Sequence, residues 1–183
     1  QSTKPSAMAI GTSSLSSGFN SLAMMRQSAA TGNFSTAIGT TSWASGTGSF
    51  ALGYSAQSKG DQSIAIGAAE PITVPGSGNE PSAAYNGTTN TVTEGARSLA
   101  FGTKARTEAA ASDSMAFGSN AKTKAANAVA MGNSSRATAT DAFAFGNRAY
   151  ATGANAIAMG RSAQAKELNT IALGGQAKAL EAN

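Results

Sequence analysis

A five-residue pattern, small residue, large apolar residue, alanine, large apolar residue, glycine, returns along this chain with a period of 14. It reads Ala7-Met8-Ala9-Ile10-Gly11, Ser49-Phe50-Ala51-Leu52-Gly53 and Ala128-Val129-Ala130-Met131-Gly132. The closing glycines are Gly11, Gly39, Gly53, Gly67, Gly102, Gly118, Gly132, Gly146, Gly160 and Gly174, with Met25 in the glycine slot of a degenerate copy. Eight of the ten intervals between these eleven slots are 14 residues long. A short, fixed period marks a solenoid, in which each unit buries its apolar surface only against its neighbours. No ordinary globular core needs such a ruler.

Each position in a copy has a fixed size. Alanine stands two residues before the slot in all eleven copies, from Ala9 and Ala23 to Ala158 and Ala172. One before the slot stands a large apolar residue: Ile10, Met24, Ile38, Leu52, Ile66, Phe101, Phe117, Met131, Phe145, Met159 or Leu173. Three before it stands another, such as Phe50, Ile64, Leu99 or Ile157, with Thr36 the exception. Period-two alternation is the strand signature. Because it alternates small against large rather than polar against apolar, both strand faces are expected to be buried.

A second short strand is expected three to five residues after each slot. Its small residues, such as Ala105 and Thr107 or Ala163 and Ala165, flank a long or polar one: Gln57, Arg106, Lys122, Arg136, Gln164 or Lys178. The two small faces are expected to meet in a flattened coil, with turns closing at glycines that tolerate angles a Cβ forbids. Further glycines at Gly18, Gly32, Gly46, Gly60 and Gly153 mark the return turn. Helix is the weaker alternative: Thr107 to Ser112 is alanine-rich, but a glycine every 14 residues and the strand alternation oppose it. The expected fold is therefore an all-β, single-stranded parallel β-roll of about eleven coils.

The large face of the first strand is left without an intrachain partner. Burying one such side chain contributes roughly 1.5–3 kcal/mol, and a stripe of them exceeds what soluble monomers expose. Self-association with closed symmetry follows, although periodicity does not choose between dimer and trimer. The interface residues expected on this basis are Ile10, Ile38, Leu52, Ile66, Phe101, Phe117, Met131, Phe145, Met159 and Leu173.

The unit Ser-φ-Ala-φ-Gly-x-x-(Ala/Ser)-x-(Ala/Ser), where φ is a large apolar residue, resembles the head repeat of bacterial trimeric autotransporter adhesins, the YadA-like β-roll. Ser63-Ile64-Ala65-Ile66-Gly67 and Ala156-Ile157-Ala158-Met159-Gly160 carry the resemblance most closely. It implies a left-handed roll, although crossover chirality in general favours the right hand. It also implies a homotrimer at the surface of a Gram-negative cell, binding host extracellular matrix proteins or glycans. Residues 1–183 are then one head domain. No signal peptide opens at Gln1, no stretch of 18 apolar residues is present, and a fragment is expected whose stalk and outer-membrane anchor would follow Asn183.

Two irregularities interrupt the period. The interval from Gly67 to Gly102 is 35 residues, a coil plus 21, and the excess is placed at about 70–94. Pro71, Pro75, Pro81, Gly76-Ser77-Gly78 and Asn86-Gly87 give it loop chemistry, with a short hairpin expected near Asn86-Gly87. Between Gly102 and Gly118 two extra residues are expected to widen a turn.

Composition narrows the chemistry. The chain has no His and no Cys, which removes the usual bases, nucleophiles and disulfides. Its nine carboxylates are scattered at turn positions, and Asp113 and Asp141 do not form the repeat of a calcium-binding roll. No catalytic residue, metal ligand or cofactor is assigned. Charge is uneven: residues 1–101 carry four basic and four acidic side chains, whereas residues 102–178 carry nine and four, a net +5. Arg106, Lys122, Arg136 and Lys178 share the wet central position of the second strand and are candidate ligand contacts, with Trp43 and Tyr150 at the same position. Such a ladder attracts sulfated glycans or acidic surfaces; nucleic acid is not expected, because no groove-reading element or aromatic series accompanies it. Two further functions compete with adhesion: a spacer holding a distal tip, and an ice-binding solenoid, which wants a threonine row this position lacks.

Overall fold

The computed structural model describes residues 1–70 and 89–180, and these contain strands and turns only, with no helix. Three-residue strands run from Met8–Ile10 to Ile171–Leu173, and two-residue strands from Leu15–Ser16 to Lys178–Ala179. They alternate along the chain and segregate in space. The eleven longer strands form one parallel sheet, and the eleven shorter ones a second. Each strand pairs in register with its equivalent one coil away, as Ala116 does with Ala130 and Ala130 with Ala144. The fold is a parallel β-solenoid of about eleven coils, as the repeat predicts.

The two sheets share an interior only one small side chain deep on either side. From the longer strands come Ala23, Ala37, Ala51, Ala65, Ala100, Ala116, Ala130, Ala144 and Ala158, each fully buried. From the shorter strands come Ser16, Ala30, Ala44, Ser58, Thr93, Thr107, Thr123, Ala137, Ala151 and Ala165, also fully buried. Most buried hydroxyls find partners, as Ser58 Oγ does 2.8 Å from Ser63 Oγ and 3.0 Å from Thr93 Oγ1, whereas the buried Ser49 Oγ has none. The serines that open the pentapeptides close the return turns, as when Ser35 Oγ donates to the Gly32 carbonyl at 2.6 Å. The small face is thus inside. The large face, expected to be buried as well, lies open on the single chain: Phe117 is 42% and Leu173 63% exposed.

Turn geometry differs from the expectation that glycines alone supply it. From Ser13 to Thr41 every seventh residue takes a left-handed conformation with an ordinary side chain: Ser13, Asn20, Gln27, Phe34 and Thr41 have φ between 51° and 58°. The glycine slot is different again. Gly132 has φ 122°, and a Cβ there would stand 2.6 Å from the Gly146 carbonyl oxygen in the next coil. Only glycine occupies that region without strain. At the return turn the demand is space: a Cβ on Gly46 would meet the Gly60 carbonyl oxygen at 2.1 Å.

The irregular segment leaves the array undisturbed. Val92–Thr93 pairs with Gln57–Ser58 on one side and Arg106–Thr107 on the other. The last part of the span 70–94 is therefore an ordinary rung of the roll. At the base of the segment, the Glu70 amide donates to Thr89 Oγ1 at 2.9 Å and Lys104 Nζ pairs with Glu70 at 2.8 Å. Asn86-Gly87, where a hairpin is expected, lies outside the described residues. The two extra residues before Gly118 are absorbed in a turn, where the Ala111 amide donates to the Glu108 carbonyl at 2.8 Å.

Candidate functional site

Since the interior is filled by methyl and hydroxyl groups, chemistry with other molecules is confined to the two outer sheet faces and the turns. The outer face of the longer-strand sheet is an apolar stripe. Register puts Phe101, Phe117, Met131, Phe145, Met159 and Leu173 on consecutive rungs. The Phe101 and Phe117 rings stack with centroids 4.8 Å apart and planes 7° apart. Ile10, Leu52, Phe101, Phe145 and Met159 are 36–47% exposed, while Ile38, Ile66 and Met131 are half-buried by their neighbours.

The outer face of the shorter-strand sheet is mixed. Its central row reads Leu15, Ala29, Trp43, Gln57, Val92, Arg106, Lys122, Arg136, Tyr150, Gln164 and Lys178 in consecutive register. Arg106, Lys122, Arg136 and Tyr150 are brought together on four successive rungs. Lys178 stands two rungs beyond Tyr150, and Trp43 is separated from Arg106 by Gln57 and the buried Val92. Trp43 Nε1 donates to Thr31 Oγ1 at 3.3 Å, and Lys59 Nζ sits 5.8 Å from its ring centroid. The Arg136 guanidinium lies 5.8 Å from the Tyr150 ring centroid.

Two acidic residues that pattern reading passed over reshape this row. Glu94 and Glu108 each follow a central-row residue by two positions, which aims them outward beside it. Glu94 pairs with Lys59 at 3.5 Å and Arg106 at 3.1 Å; Glu108 pairs with Lys122 at 2.6 Å and Lys124 at 3.9 Å. Partial burial pushes the Glu108 carboxyl up, but the Lys122 hydrogen bond and the charges of Lys122, Lys124 and Arg106 outweigh it, holding the group below its ordinary range. For Glu108 the signal was present in the spacing, since an acid two residues past the outward Arg106 lies on the same face of a strand; Glu94 follows the buried Val92 and gave no such signal.

The return turns carry a separate polar ladder. Arg97 grips Asp113 through two bonds of 2.6 and 2.7 Å, which lowers the Asp113 carboxyl from its ordinary range. Asn127 Nδ2 donates to Asp141 at 3.0 Å, and Asn155 Nδ2 to Asn169 at 3.0 Å. Among the described residues no group of three metal-ligating side chains gathers.

The YadA head domain repeat matches this chain ten times, over residues 2–24, 26–42, 30–56, 44–69, 94–121, 109–135, 124–149, 137–163, 151–177 and 165–183. The chain belongs to the YadA head-repeat family. Together the matches leave out only residue 1, Met25 and residues 70–93, which hold the irregular segment. YadA-like heads are bacterial cell-surface adhesin modules, and the family is non-enzymatic. No curated protein matches the chain. Among solved structures, the collagen-binding domain of the Yersinia adhesin YadA aligns at 20% identity with a TM-score of 0.46, over 93% of this chain and 66% of that one. The YadA-like head thus spans just under two thirds of that domain.

Proposed function

We propose that this YadA-like head mediates attachment of a Gram-negative cell to host extracellular matrix or cell-surface molecules, as a homotrimer held at the outer membrane. The observation that carries the reading is the division of labour between its outer faces, in a chain matched by the head repeat almost end to end. One face is apolar at every outward position but Thr36 and suits self-association. The other is chemically varied, with Trp43, Tyr150, arginines and lysines on a regular lattice of in-register rungs. Regular lattices with scattered aromatic and basic anchors favour extended partners, whose affinity accumulates over repeated weak contacts.

Collagen, named for the Yersinia domain, heads the panel of ligands, followed by fibronectin, laminin and a glycan array. The purified chain is expected to retain at least one of these over a blank surface. Trp43→Ala and Tyr150→Ala are expected to weaken retention without moving the melting temperature, since neither side chain belongs to the interior. If wild-type protein binds nothing on the panel, and cells displaying it attach no better than cells without it, the spacer reading replaces adhesion.

A further inference from the structure

We propose that the last four coils form a binding strip for a sulfated linear polysaccharide, centred on Arg136, Arg148, Arg161 and Lys178. The inference rests on the adhesion reading of the shorter-strand face and names a ligand class for one end of it. It differs from the simple basic ladder read from the sequence, because the first half of that ladder is neutralised. Arg106 and Lys122 are held by Glu94 and Glu108, which leaves little field there for a polyanion.

Beyond Lys124 the balance changes. Residues 125–180 carry five basic side chains, Arg136, Arg148, Arg161, Lys166 and Lys178, against Asp141 and Glu167. None of the five joins an ion pair among the described residues. Both acids sit at the return turn, and Asp141 accepts the Asn127 amide there. Arg136, Arg148, Arg161 and Lys178 are all exposed. Arg136, Tyr150, Gln164 and Lys178 occupy consecutive rungs. With rungs about 4.8 Å apart, the strip from Arg136 to Lys178 is about 14 Å long. Arg148 and Arg161 enter their coils from the slot turn, two and three residues before Tyr150 and Gln164.

The residue types point to sulfate. Three of the four bases are arginines, whose planar, weakly hydrated fork binds oxyanions through paired hydrogen bonds. A linear arrangement with fixed rise suits a linear polyanion that repeats its charge. Nucleic acid fits less well, because strand binding draws on a series of aromatic platforms, and Tyr150, already covered by Arg136, is the one ring on the strip.

The test is binding of the purified chain to immobilised heparin in about 0.15 M salt, where exposed charges interact only within about 8 Å. Wild-type protein is expected to bind, and to release as salt rises. Arg136→Glu, Arg148→Glu and Lys178→Glu combined should weaken binding at least tenfold. Lys4→Glu and Arg26→Glu combined, two reversals at the other end, should weaken it less than threefold. Both variants should melt like wild type. Equal losses in the two variants, absence of wild-type binding, or competition by single-stranded DNA as effective as by soluble heparin would each overturn the strip. Matrix-protein binding measured on the same samples separates the two readings. If it survives in the variant that lost heparin, the strip stands as a distinct site; if wild-type protein binds matrix protein but no heparin, the strip alone fails.

Discussion

Met25 stands where the other ten coils place glycine, and its backbone follows the slot part of the way, to φ 91° against 112° to 156° for the glycines. A side chain held in that region costs about 1–3 kcal/mol. Met25 is 51% exposed, so its side chain recovers little by burial. Met25→Gly is therefore expected to stabilise the chain by about 1 kcal/mol after the added backbone entropy of glycine, a rise of about 2–4 °C in melting temperature for a domain of this size. An unchanged or lower melting temperature in calorimetry would show that the slot is not strained. Most of this residue-level design was legible. The alanine row, the large positions and the glycine slot announce themselves because each admits one size or one backbone region. The left-handed positions at Asn20, Phe34 and Arg97 were not legible, since the residues that hold them, from serine to phenylalanine and arginine, are mostly not the glycine or asparagine that marks this region in a sequence.

At the scale of strands and turns, the tightest constraint is the distance between the two sheets. Ala130 has no exposed surface and lies between Ala116 and Ala144 in adjacent coils. Ala130→Leu has to push three coils apart and is expected to cost more than about 1–3 kcal/mol. The neighbouring Val129→Leu, on the open face of the same strand, is expected to be nearly neutral. Chemical denaturation of the pair checks this: equal midpoints would mean that the small face is not the inner one. The alternation of size in Leu99-Ala100-Phe101 was enough to assign strand, face and interior. Pairing between elements was less visible. That Glu108 meets Lys122, 14 residues on, follows only once successive coils are known to stack in register. The boundary of the irregular segment was blurred for the same reason. Val92–Thr93 is too short to show a pattern of its own, and only its pairing with Gln57–Ser58 marks it as part of the roll.

For the whole molecule, the unresolved balance is between a thin interior and a wide apolar stripe. Alanine and serine bury little area each, whereas Phe101, Phe117, Phe145 and Met159 hold large side chains on one face that remain 41–45% exposed on the single chain. Aromatic side chains of this kind dominate the energetics of interfaces when they are covered. The stripe is straight, in register and free of charged residues along the row before the glycine slot, so a second or third copy can cover it without burying an unpaired charge. The varied shorter-strand face, on the opposite side of the thin interior, stays in water in such an assembly. A homotrimer is the assembly expected, and sedimentation equilibrium is the direct measurement. Phe117→Ser combined with Phe145→Ser removes two buried rings per copy, each worth a few kcal/mol when covered, and is expected to shift the protein towards smaller species at micromolar concentration. Trp43→Ala, on the opposite face, is expected to leave the assembly intact. A wild-type chain that sediments as a monomer would mean that the stripe serves some partner other than this chain itself.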